Sequence, residues 1–243
     1  DKYKVREYVQ SLGLGDTLVK LYGRWDKASD VDWDRLPNQF VLKVNNGCGD
    51  ILICRDKDKL DKATVIDTYD RLVSIKYGDV TGEPHYARIQ PCVIAEELLD
   101  INKQSINTSS LIDYKVWCLN GKPYCIWCAW NRGKEGADTG VYDLDWNYHP
   151  EWSVFTEHYR QGKEILPKPK CFERMLEVAS KLSEEFPILR VDLYEVNEKI
   201  YFGELTFTSL GGFMDYLTSE VLLDMGSKVR INEISEEYAH VKC

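Results

Sequence analysis

The sequence has no long hydrophobic run and no excess of positive charge. No apolar stretch reaches the ~20 residues that span a bilayer, and no charged and apolar leader opens the chain. We therefore expect a soluble, cytoplasmic protein without a membrane span. Because the chain starts at Asp1 and not at Met, we also expect it to be part of a longer polypeptide.

Basic residues are outnumbered: 31 Lys and Arg stand against 40 Asp and Glu, which gives a formal net charge of -9. A surface of this sign repels nucleic acid, so the composition argues against a nucleic-acid partner. Any bound phosphate would need basic residues placed for it one by one. At 243 residues, the chain has room for one large domain or two lobes.

Histidine and paired cysteine are also scarce. The four histidines form no spaced cluster, and the eight cysteines include one C-x-x-C, Cys125 to Cys128, with no second close pair. A structural zinc site needs such a second pair. Residues three apart in a strand face opposite sides, so we expect buried free thiols. No Ser-His-Asp or Cys-His arrangement is visible either, which argues against covalent catalysis by a side chain.

The familiar nucleotide motifs, Walker A and the Rossmann glycine fingerprint, are absent. Instead, Lys43 closes a predicted strand that enters the loop Asn46-Gly47-Cys48-Gly49. Small residues let backbone N-H groups approach phosphate, and a lysine adds positive charge. An ordinary glycine turn with a solvated lysine explains the same pattern. Asp113 and Lys115 share one face of a later strand, where a plain surface ion pair is the alternative.

Periodicity predicts an α+β protein built from antiparallel sheets and single helices. Helices are expected near residues 5–12, 60–77, 172–186 and 217–225. Hairpins are expected around the glycine loop and at Asn120-Gly121, a strong turn signal. Residues 131–170 are rich in glycine, proline and polar aromatics, and we expect long irregular loops there.

The most informative segment is the strand pair from Leu189 to Phe207. With Val196–Lys199 as the connection and Val196 paired with Ile200, Asp192 lies opposite Glu204 and Arg190 lies opposite Thr206. Leu189, Val191 and Leu193 then share the other face with Phe207, Leu205 and Gly203. Opposed carboxylates destabilise a sheet unless something offsets them, and Mg²⁺ would, because one or two carboxylates with phosphate oxygens suffice to hold it. The alternative is that Arg190 pairs with a carboxylate on a solvated face.

The order of these elements resembles the ATP-grasp superfamily, and more narrowly the TupA-like ATP-grasp family of bacterial surface-polysaccharide synthesis. The resemblance covers nearly the whole chain. Its blocks are residues 1–9, Leu36-Pro37 with 40–43, 113–115 with 120–123, 142–146, and 190–194 with 202–207. It implies the ATP-grasp fold, in which two lobes of antiparallel sheet with helices clasp a nucleotide, with ATP and Mg²⁺ as cofactors. The implied division is a helical pre-grasp segment (1–35), a small lobe (36–99) and a large lobe (100–243).

The resemblance also implies roles for individual residues. Lys43 and Lys115 would contact the phosphates under the loop Asn46-Gly47-Cys48-Gly49. Arg190 would lie beside the transferred phosphate, and Asp113 would be a ribose or structural acid. The hinge that reads adenine and ribose would be formed by Glu96, Glu97, Leu98 and Leu99. Asp192 and Glu204 would be the magnesium carboxylates.

One position departs from the family pattern. Many ATP-grasp enzymes have E-x-N where this chain has Glu204-Leu205-Thr206. A hydroxyl can still coordinate or hydrogen-bond, so Thr206 joins the expected metal site, but a second metal is less secure. The acceptor is expected near Arg132, Asp143, Asp145 and Trp146.

The leading hypothesis is an ATP-dependent carboxylate-amine ligase that forms an amide through an acyl phosphate. Its partners would be an amine and a carboxylate, the latter a hexuronic acid or an amino acid of a surface polysaccharide. Two alternatives are a kinase that phosphorylates a hydroxyl, and a non-catalytic nucleotide- or glycan-binding domain attached to a glycosyltransferase.

Overall fold

The computed structural model describes residues 1–47, 49–75, 77–78 and 83–231. Contacts between Cα atoms divide the chain into two compact units, unit 1 (Asp1–Leu99) and unit 2 (Asp100–Cys243). Each unit has its own sheet. No helix in the described ranges is both long enough and apolar enough to cross a membrane.

Unit 1 is a four-stranded antiparallel sheet with two α-helices among its described residues. Its elements are α1 (Val5–Ser11), β1 (Leu21–Trp25), β2 (Phe40–Val44), β3 (Ile51–Cys54), α2 (Lys62–Ser74) and β4 (Val93–Glu96). The strand order is β1-β4-β2-β3. The first 35 residues thus supply an edge strand as well as the expected helix. The sequence Leu21–Trp25 did not predict this strand, because apolar and polar residues do not alternate in it. All five residues are half-buried in the structure.

Helix α2 covers one face of this sheet. Its N-terminus is capped by Asp61, whose side chain accepts a hydrogen bond from the backbone N-H of Thr64. Tyr69 reaches from the helix into the sheet and donates its hydroxyl to the carbonyl of Leu42 at 3.0 Å. The shared core includes the buried Phe40 and Leu42. Residues of β2 that alternate with these, Lys43 among them, therefore point to the opposite face.

Unit 2 is a six-stranded sheet in the order β10-β9-β5-β6-β7-β8. Its strands are β5 (Asp113–Leu119), β6 (Lys122–Gly133), β7 (Gly136–Tyr142), β8 (Tyr159–Gln161), β9 (Ile188–Val196) and β10 (Lys199–Thr206). Its described helices are α3 (Phe172–Ser183) and α4 (Ser219–Lys228). The predicted α+β class is confirmed. The sheet is mixed, however, because β7 and β8 run parallel.

The hairpin predicted at Asn120-Gly121 is confirmed. Leu119 pairs with Lys122, and both turn residues have positive φ, 50° and 76°. These angles match the two-residue turn that suits the right-handed twist of paired strands. A Cβ on Gly121 would also lie 3.0 Å from the Cα of Glu184.

The two faces of the second sheet carry different cores. Helix α3 packs on one face through an apolar stripe of Phe172, Met175, Val178, Ala179 and Leu182, all buried. The other face holds a cluster in which Trp117 and Trp127 contact Tyr216 and the α4 residues Val221 and Met225. Lys115 and Asp113 alternate with the residues that face α3, so they share the second face.

The prediction of irregular loops over residues 131–170 was wrong in part. Strand β6 continues to Gly133, and β7 and β8 also fall in this range. Strand β7 is glycine-rich and lacks apolar alternation, and pairing with the long, buried β6 imposes its extended conformation. Its buried Thr139 donates its hydroxyl to the carbonyl of Arg160 at 3.1 Å. Tertiary context decides such strands, not local propensity.

The cysteines behave as predicted where the structure describes them. Cys125 and Cys128 are free and fully buried, and only Cys125 belongs to the cluster under α4. Burial raises the pKa of both thiols. Cys171 is the half-buried exception. Among the described residues, no group of three or more His, Cys, Asp or Glu could hold a metal ion by itself.

Candidate functional site

The hairpin of β9 and β10 has the predicted pairs at the site end and a different register at its tip. Asp192 lies opposite Glu204, and Arg190 lies opposite Thr206. At the tip, however, Val196 pairs with Lys199, so the predicted pairing of Val196 with Ile200 was wrong. The turn has two residues, Asn197 and Glu198, with φ of 55° and 57°. Positive φ at two non-glycine residues is what the alternation pattern could not show.

A bulge at Gly203 restores the predicted register. Phe202 pairs with Leu193 and Glu204 with Asp192, so Gly203 is the extra residue between them. The predicted match of Leu193 with Gly203 was therefore wrong. A Cβ at this position would lie 2.9 Å from the carbonyl oxygen of Asp192 and 3.0 Å from the Tyr194 ring. Only a glycine fits this close approach of the backbone.

Three charged side chains form a row across adjacent strands. Lys115 on β5 lies opposite Asp192 on β9, and Asp192 lies opposite Glu204 on β10. The Lys115 ammonium is 2.5 Å from Asp192 Oδ2 and 3.6 Å from Asp113 Oδ1. Lys115 and Asp192 are 6% and 2% exposed, so the face is buried. The alternative predicted an ion pair on a solvated face. The ion pairs exist, but Lys115 and Asp192 are not solvated.

Arg132 extends the row at the β5 end. Its Nη1 lies 2.9 Å from Asp113 Oδ2, and the arginine side chain is half exposed while the carboxylate is buried. Burial by itself would lower the pKa of Arg132, but the charge of Asp113 raises it above the ordinary value. Arg132 therefore presents a permanent positive charge at the solvent-facing end of the buried row.

Asp192 is held ionised from two sides. Arg190 donates Nε to Oδ1 at 2.7 Å and Nη2 to Oδ2 at 2.8 Å, a bidentate pair. Burial would raise the pKa of Asp192, but the charges of Arg190 and Lys115 lower it below its ordinary value. A buried carboxylate without such partners would take up a proton. The charge of Asp192 is thus built into the fold.

Glu204 and Thr206 complete the site. Thr206 accepts a hydrogen bond from Arg190 Nη2 at 2.9 Å and contacts Glu204 Oε1 at 3.4 Å. Both residues are half-buried. In the part of the chain that the structure describes, this long contact is the one hydrogen bond to the Glu204 carboxylate. Glu204 is therefore much less committed to protein partners than Asp192 is.

Asp192 and Glu204 fit a Mg²⁺ ion that completes its coordination with phosphate oxygens. Among the described residues, Arg190 is the one donor to Asp192 Oδ1, so this oxygen keeps a lone pair beside the little-used Glu204 carboxylate. Two hard oxygen donors on opposed residues suit Mg²⁺, which prefers one or two carboxylates, water and phosphate to a cage of protein ligands. The described residues offer no such cage.

Unit 1 carries a separate charged triad. Lys43 Nζ lies 2.8 Å from Glu96 Oε2, and Arg6 Nη1 lies 3.0 Å from Glu96 Oε1. Arg6 is held in turn by the carbonyl of Val19, to which its Nη2 donates at 2.8 Å. Both oxygens of Glu96 are thus used within unit 1. This acid holds Lys43 in place, and a bound ribose would have to displace one of its partners.

The glycine loop is tied down at its start and open at its far end. Asn46 is buried and donates Nδ2 to the carbonyl of Ile75 at 3.2 Å, while the Gly47 carbonyl accepts from the Lys2 ammonium. Gly49 is exposed, with φ of 86°, and a Cβ added to it would meet no atom within 4 Å. Cys48, expected in the same loop, lies outside the described residues. The loop is therefore exposed at Gly49 and buried at Asn46.

The expected hinge residues differ in what they can offer. Strand β4 ends at Glu96, and the backbone N-H of Glu97 donates to the carbonyl of Lys20 at 2.9 Å. That donor is used. Leu98 is half-buried and Leu99 is buried, so Leu98 is the better placed of the two to contact a base.

The expected acceptor residues separate in the structure. Trp146 donates Nε1 to the carbonyl of Leu166 at 2.9 Å and stacks on Tyr142, so this half-buried side chain is committed to packing within unit 2. Asp145 is exposed. Asp143 is half-buried, and although burial would raise its pKa, hydrogen bonds from Asn147 and His149 lower the pKa to about 2. Asp143 thus organises its own loop.

Sequence reasoning missed three residues that fix charged side chains, one in unit 1 and two in unit 2. Arg6 fixes Glu96, while Ser209 and Tyr216 contact Arg190. Arg6 lies within residues 1–9, one of the blocks that carry the family resemblance, but the resemblance assigned it no role. Ser209 and Tyr216 follow the hairpin in a segment without periodicity, and only the folded chain brings them to Arg190.

The architecture defines an ATP-grasp fold. D-alanine--D-alanine ligase from Bacillus anthracis is 15% identical, with a TM-score of 0.53 over 94% of this chain and 66% of the ligase chain. The same enzyme complexed with ATP is 14% identical, with a TM-score of 0.50 over 94% and 65% of the two chains. This chain thus spans slightly less than two thirds of those ligases.

Within that fold, the chain belongs to the TupA-like ATP-grasp family, whose family model matches residues 1–230. This confirms the family indicated by the sequence blocks. No curated protein matches the chain.

Proposed function

We propose that the protein is an ATP-dependent ligase that joins a carboxylate to an amine, with ATP and Mg²⁺ as its cofactors. The observation that carries the proposal is the row Lys115, Asp192 and Glu204 on three adjacent strands. Two acids and a lysine on one face, buried at Lys115 and Asp192 and half-buried at Glu204, suit a metal-bound polyphosphate. Family membership and the ATP-grasp fold support the same reading.

The reaction needs positioned charge and no side-chain nucleophile. A carboxylate oxygen of the acid substrate attacks the γ-phosphorus of ATP, the bond from that phosphorus to the bridging oxygen breaks, and ADP leaves. The amine then attacks the acyl carbon, the bond from that carbon to the phosphate oxygen breaks, and inorganic phosphate leaves. The amine gives up a proton to solvent, and an amide results.

The residues of unit 2 would act on the phosphates. Lys115 is held by Asp113 and Asp192, and its ammonium can exchange one of these for a phosphate oxygen. Mg²⁺ at Asp192 and Glu204 would supply neutralising charge at the phosphate oxygens. Arg132 presents its charge at the open end of the row, where it would orient the acid substrate.

The residues of unit 1 would secure the nucleotide. Lys43 is oriented by Glu96 and keeps 26% of its side-chain surface exposed, so it can contact phosphate without leaving its partner. Gly49 would let the loop backbone approach the phosphates. Closure of such a loop would exclude water and protect the acyl phosphate from hydrolysis.

The substrates we propose are a hexuronic acid or an amino acid and a small amine, with a role in surface-polysaccharide synthesis. This rests on the family alone. The reaction would take place in the cytoplasm, where ATP is available, and the chain would be a domain of a larger protein.

ADP release with Mg-ATP and a panel of uronic acids, amino acids and amines tests the function. We expect release that requires both an acid and an amine, and that is lost in Asp192→Asn and Lys43→Ala. Matched controls are Asp67→Asn on α2 and Lys181→Ala on α3, both at exposed positions, which should leave the rate unchanged.

Other outcomes would identify another activity. ADP release with a stable phosphorylated product and no need for an amine would indicate a kinase. ATP binding without turnover across the panel would indicate a non-catalytic module. Equal rates in Asp192→Asn and the unaltered protein would contradict the proposed site.

A further inference from the structure

The guanidinium of Arg190 has no donor left to give to a ligand. Its Nε and Nη2 bind the two oxygens of Asp192 at 2.7 and 2.8 Å. Nη2 also donates to Thr206 Oγ1 at 2.9 Å. Nη1 donates to Ser209 Oγ at 2.9 Å and to the Tyr216 hydroxyl at 3.4 Å. An arginine has five N-H donors, and each of the five has an acceptor in the chain.

The surroundings reinforce this closure. The side chain of Arg190 is 12% exposed, and its Cζ lies 6.0 Å from the centre of the Trp117 ring. Ser209 and Tyr216 also hydrogen-bond each other at 2.9 Å, so they form a linked pair on one side of the guanidinium. The guanidinium is therefore held in one orientation by several acceptors at once, and loss of any of them leaves a buried donor unpaired, which carries a penalty.

Thr206 connects Arg190 to the second carboxylate. Because its oxygen accepts from Arg190 Nη2, its own proton is directed elsewhere, and Glu204 Oε1 lies 3.4 Å away. Arg190 therefore contacts Asp192 directly and reaches Glu204 through one hydroxyl. The same contact makes Thr206 a poor metal ligand, because its neutral oxygen already accepts from Arg190 and, unlike the Asp192 carboxylate, carries no charge to offset a second cation nearby.

We propose that Arg190 is a positioning residue for the two carboxylates. The guanidinium and the hydroxyls of Thr206, Ser209 and Tyr216 form a closed set, here named the Arg190 cage. The cage orients the carboxylates of Asp192 and Glu204. Thr206 serves as a relay, which means that it links Arg190 to Glu204 and does not itself bind the metal. The proposal rests on the proposed metal site and names residues that act through its ligands.

Manganese binding in the presence of a non-hydrolysable ATP analogue tests the cage, with Mn²⁺ as a spectroscopic substitute for Mg²⁺ and a protein-free sample of Mn²⁺ and analogue as the reference. Electron paramagnetic resonance measures free Mn²⁺ directly and needs no turnover. We expect Thr206→Val to weaken Mn²⁺ binding by roughly 10-fold, as loss of a hydrogen bond behind a metal ligand commonly does. Thr206→Ser restores the hydroxyl and should bind as the unaltered protein does.

Two milder variants probe cage members that do not contact either carboxylate. Tyr216→Phe and Ser209→Ala each leave one Arg190 donor without its acceptor, and we expect each to weaken Mn²⁺ binding in the same direction as Thr206→Val. A matched control is Arg35→Lys, at an arginine whose side chain is 89% exposed. It should have no effect. If Thr206→Val does not fold, Tyr216→Phe and Ser209→Ala still decide the question.

A double-mutant cycle separates relay from ligand. If Thr206 acts through Arg190, adding Thr206→Val to Arg190→Lys should cost little further Mn²⁺ affinity. If Thr206 binds the metal itself, the two losses should multiply, and the relay role is overturned. Unchanged Mn²⁺ affinity in Thr206→Val, Tyr216→Phe and Ser209→Ala would overturn the cage while leaving the ligase proposal intact. Absence of any protein-dependent Mn²⁺ binding with the ATP analogue present would instead remove the metal site, and the proposed function with it.

Discussion

The two lysines proposed to contact phosphates lie in very different surroundings. Lys43 in unit 1 has one carboxylate partner, Glu96, and keeps 26% of its side chain exposed. Lys115 in unit 2 is 8% exposed at its side chain and lies within 4 Å of two carboxylates, Asp113 and Asp192. An exposed pair adds little to stability, whereas a buried charge without its partner is costly. Lys43 can therefore bind a ligand with little loss of stability, whereas Lys115 also stabilises the fold.

The largest expected effect is at Asp192. Asp192→Ala removes the acid between Lys115 and Arg190 and leaves two buried cations without their main partner. Breaking a buried pair in this way costs about 3–5 kcal/mol, so we expect a large drop in the urea midpoint. Glu96→Ala in unit 1 is the comparison. An equal loss in Glu96→Ala would break the distinction between the two sites.

Removing each lysine should show the same difference in stability between the two units. Lys115→Met leaves two buried carboxylates and should lower the free energy of unfolding by about 2–3 kcal/mol. Lys43→Met should lower it by less than ~1 kcal/mol, because Lys43 is partly exposed and the buried Glu96 keeps Arg6 as its partner. Urea unfolding measures both, with Lys181→Met as the surface control. A greater loss from Lys43→Met than from Lys115→Met would contradict the comparison.

Arg6 offers a finer test in unit 1. Arg6→Gln frees one oxygen of Glu96 while leaving Lys43 in place, and we expect a loss of about 1 kcal/mol or less. Because Glu96 then orients Lys43 less well, the affinity for ATP should fall more than stability does. Calorimetric titration with ATP measures this. Unchanged affinity would show that Lys43 does not depend on Arg6.

The last expected effect concerns Asp143, near the surface of unit 2, and is confined to acid pH. Its carboxylate accepts from Asn147 and His149, and its pKa is about 2 in the folded chain against roughly 3.9 in an unfolded one. A depressed pKa stabilises above the unfolded value, and this contribution is lost as pH falls from ~4 towards 2. Asp143→Asn should therefore flatten the pH dependence of stability in that window. Equal steepness in both proteins would contradict the assignment.

Much of the site could be predicted because the strands alternate. Leu189, Val191 and Leu193 can be buried under α3 only if Asp192 faces the other way, so the pairing with Glu204 followed from burial alone. The bulge at Gly203 was not predictable from alternation. The observed tip turn shifts the strand pairing by one residue from the prediction, and the extra residue at Gly203 shifts it back, so the pairs at Asp192 and Arg190 are the same either way. The cage was not predictable either, because Ser209 and Tyr216 reach Arg190 through a segment with no period.

Three stretches show where local pattern loses to context. Strand β1 has no alternation, β7 is rich in glycine, and β8 has three residues. Each is extended because a neighbouring strand pairs with it. The glycine loop was located correctly in the sequence, yet its buried start at Asn46 and open Gly49 were visible only in three dimensions.

The surplus residue at Gly203 makes the proposed metal site vulnerable to a change that removes none of its charges. The bulge bends β10 just before Glu204, so the direction of that carboxylate depends on a residue without a side chain. One methyl group at position 203 would meet the Asp192 carbonyl at 2.9 Å. The chain would have to shift the strand that carries one acid or the strand that carries the other. An enzyme with every ligand intact could in this way lose its metal through a single carbon atom.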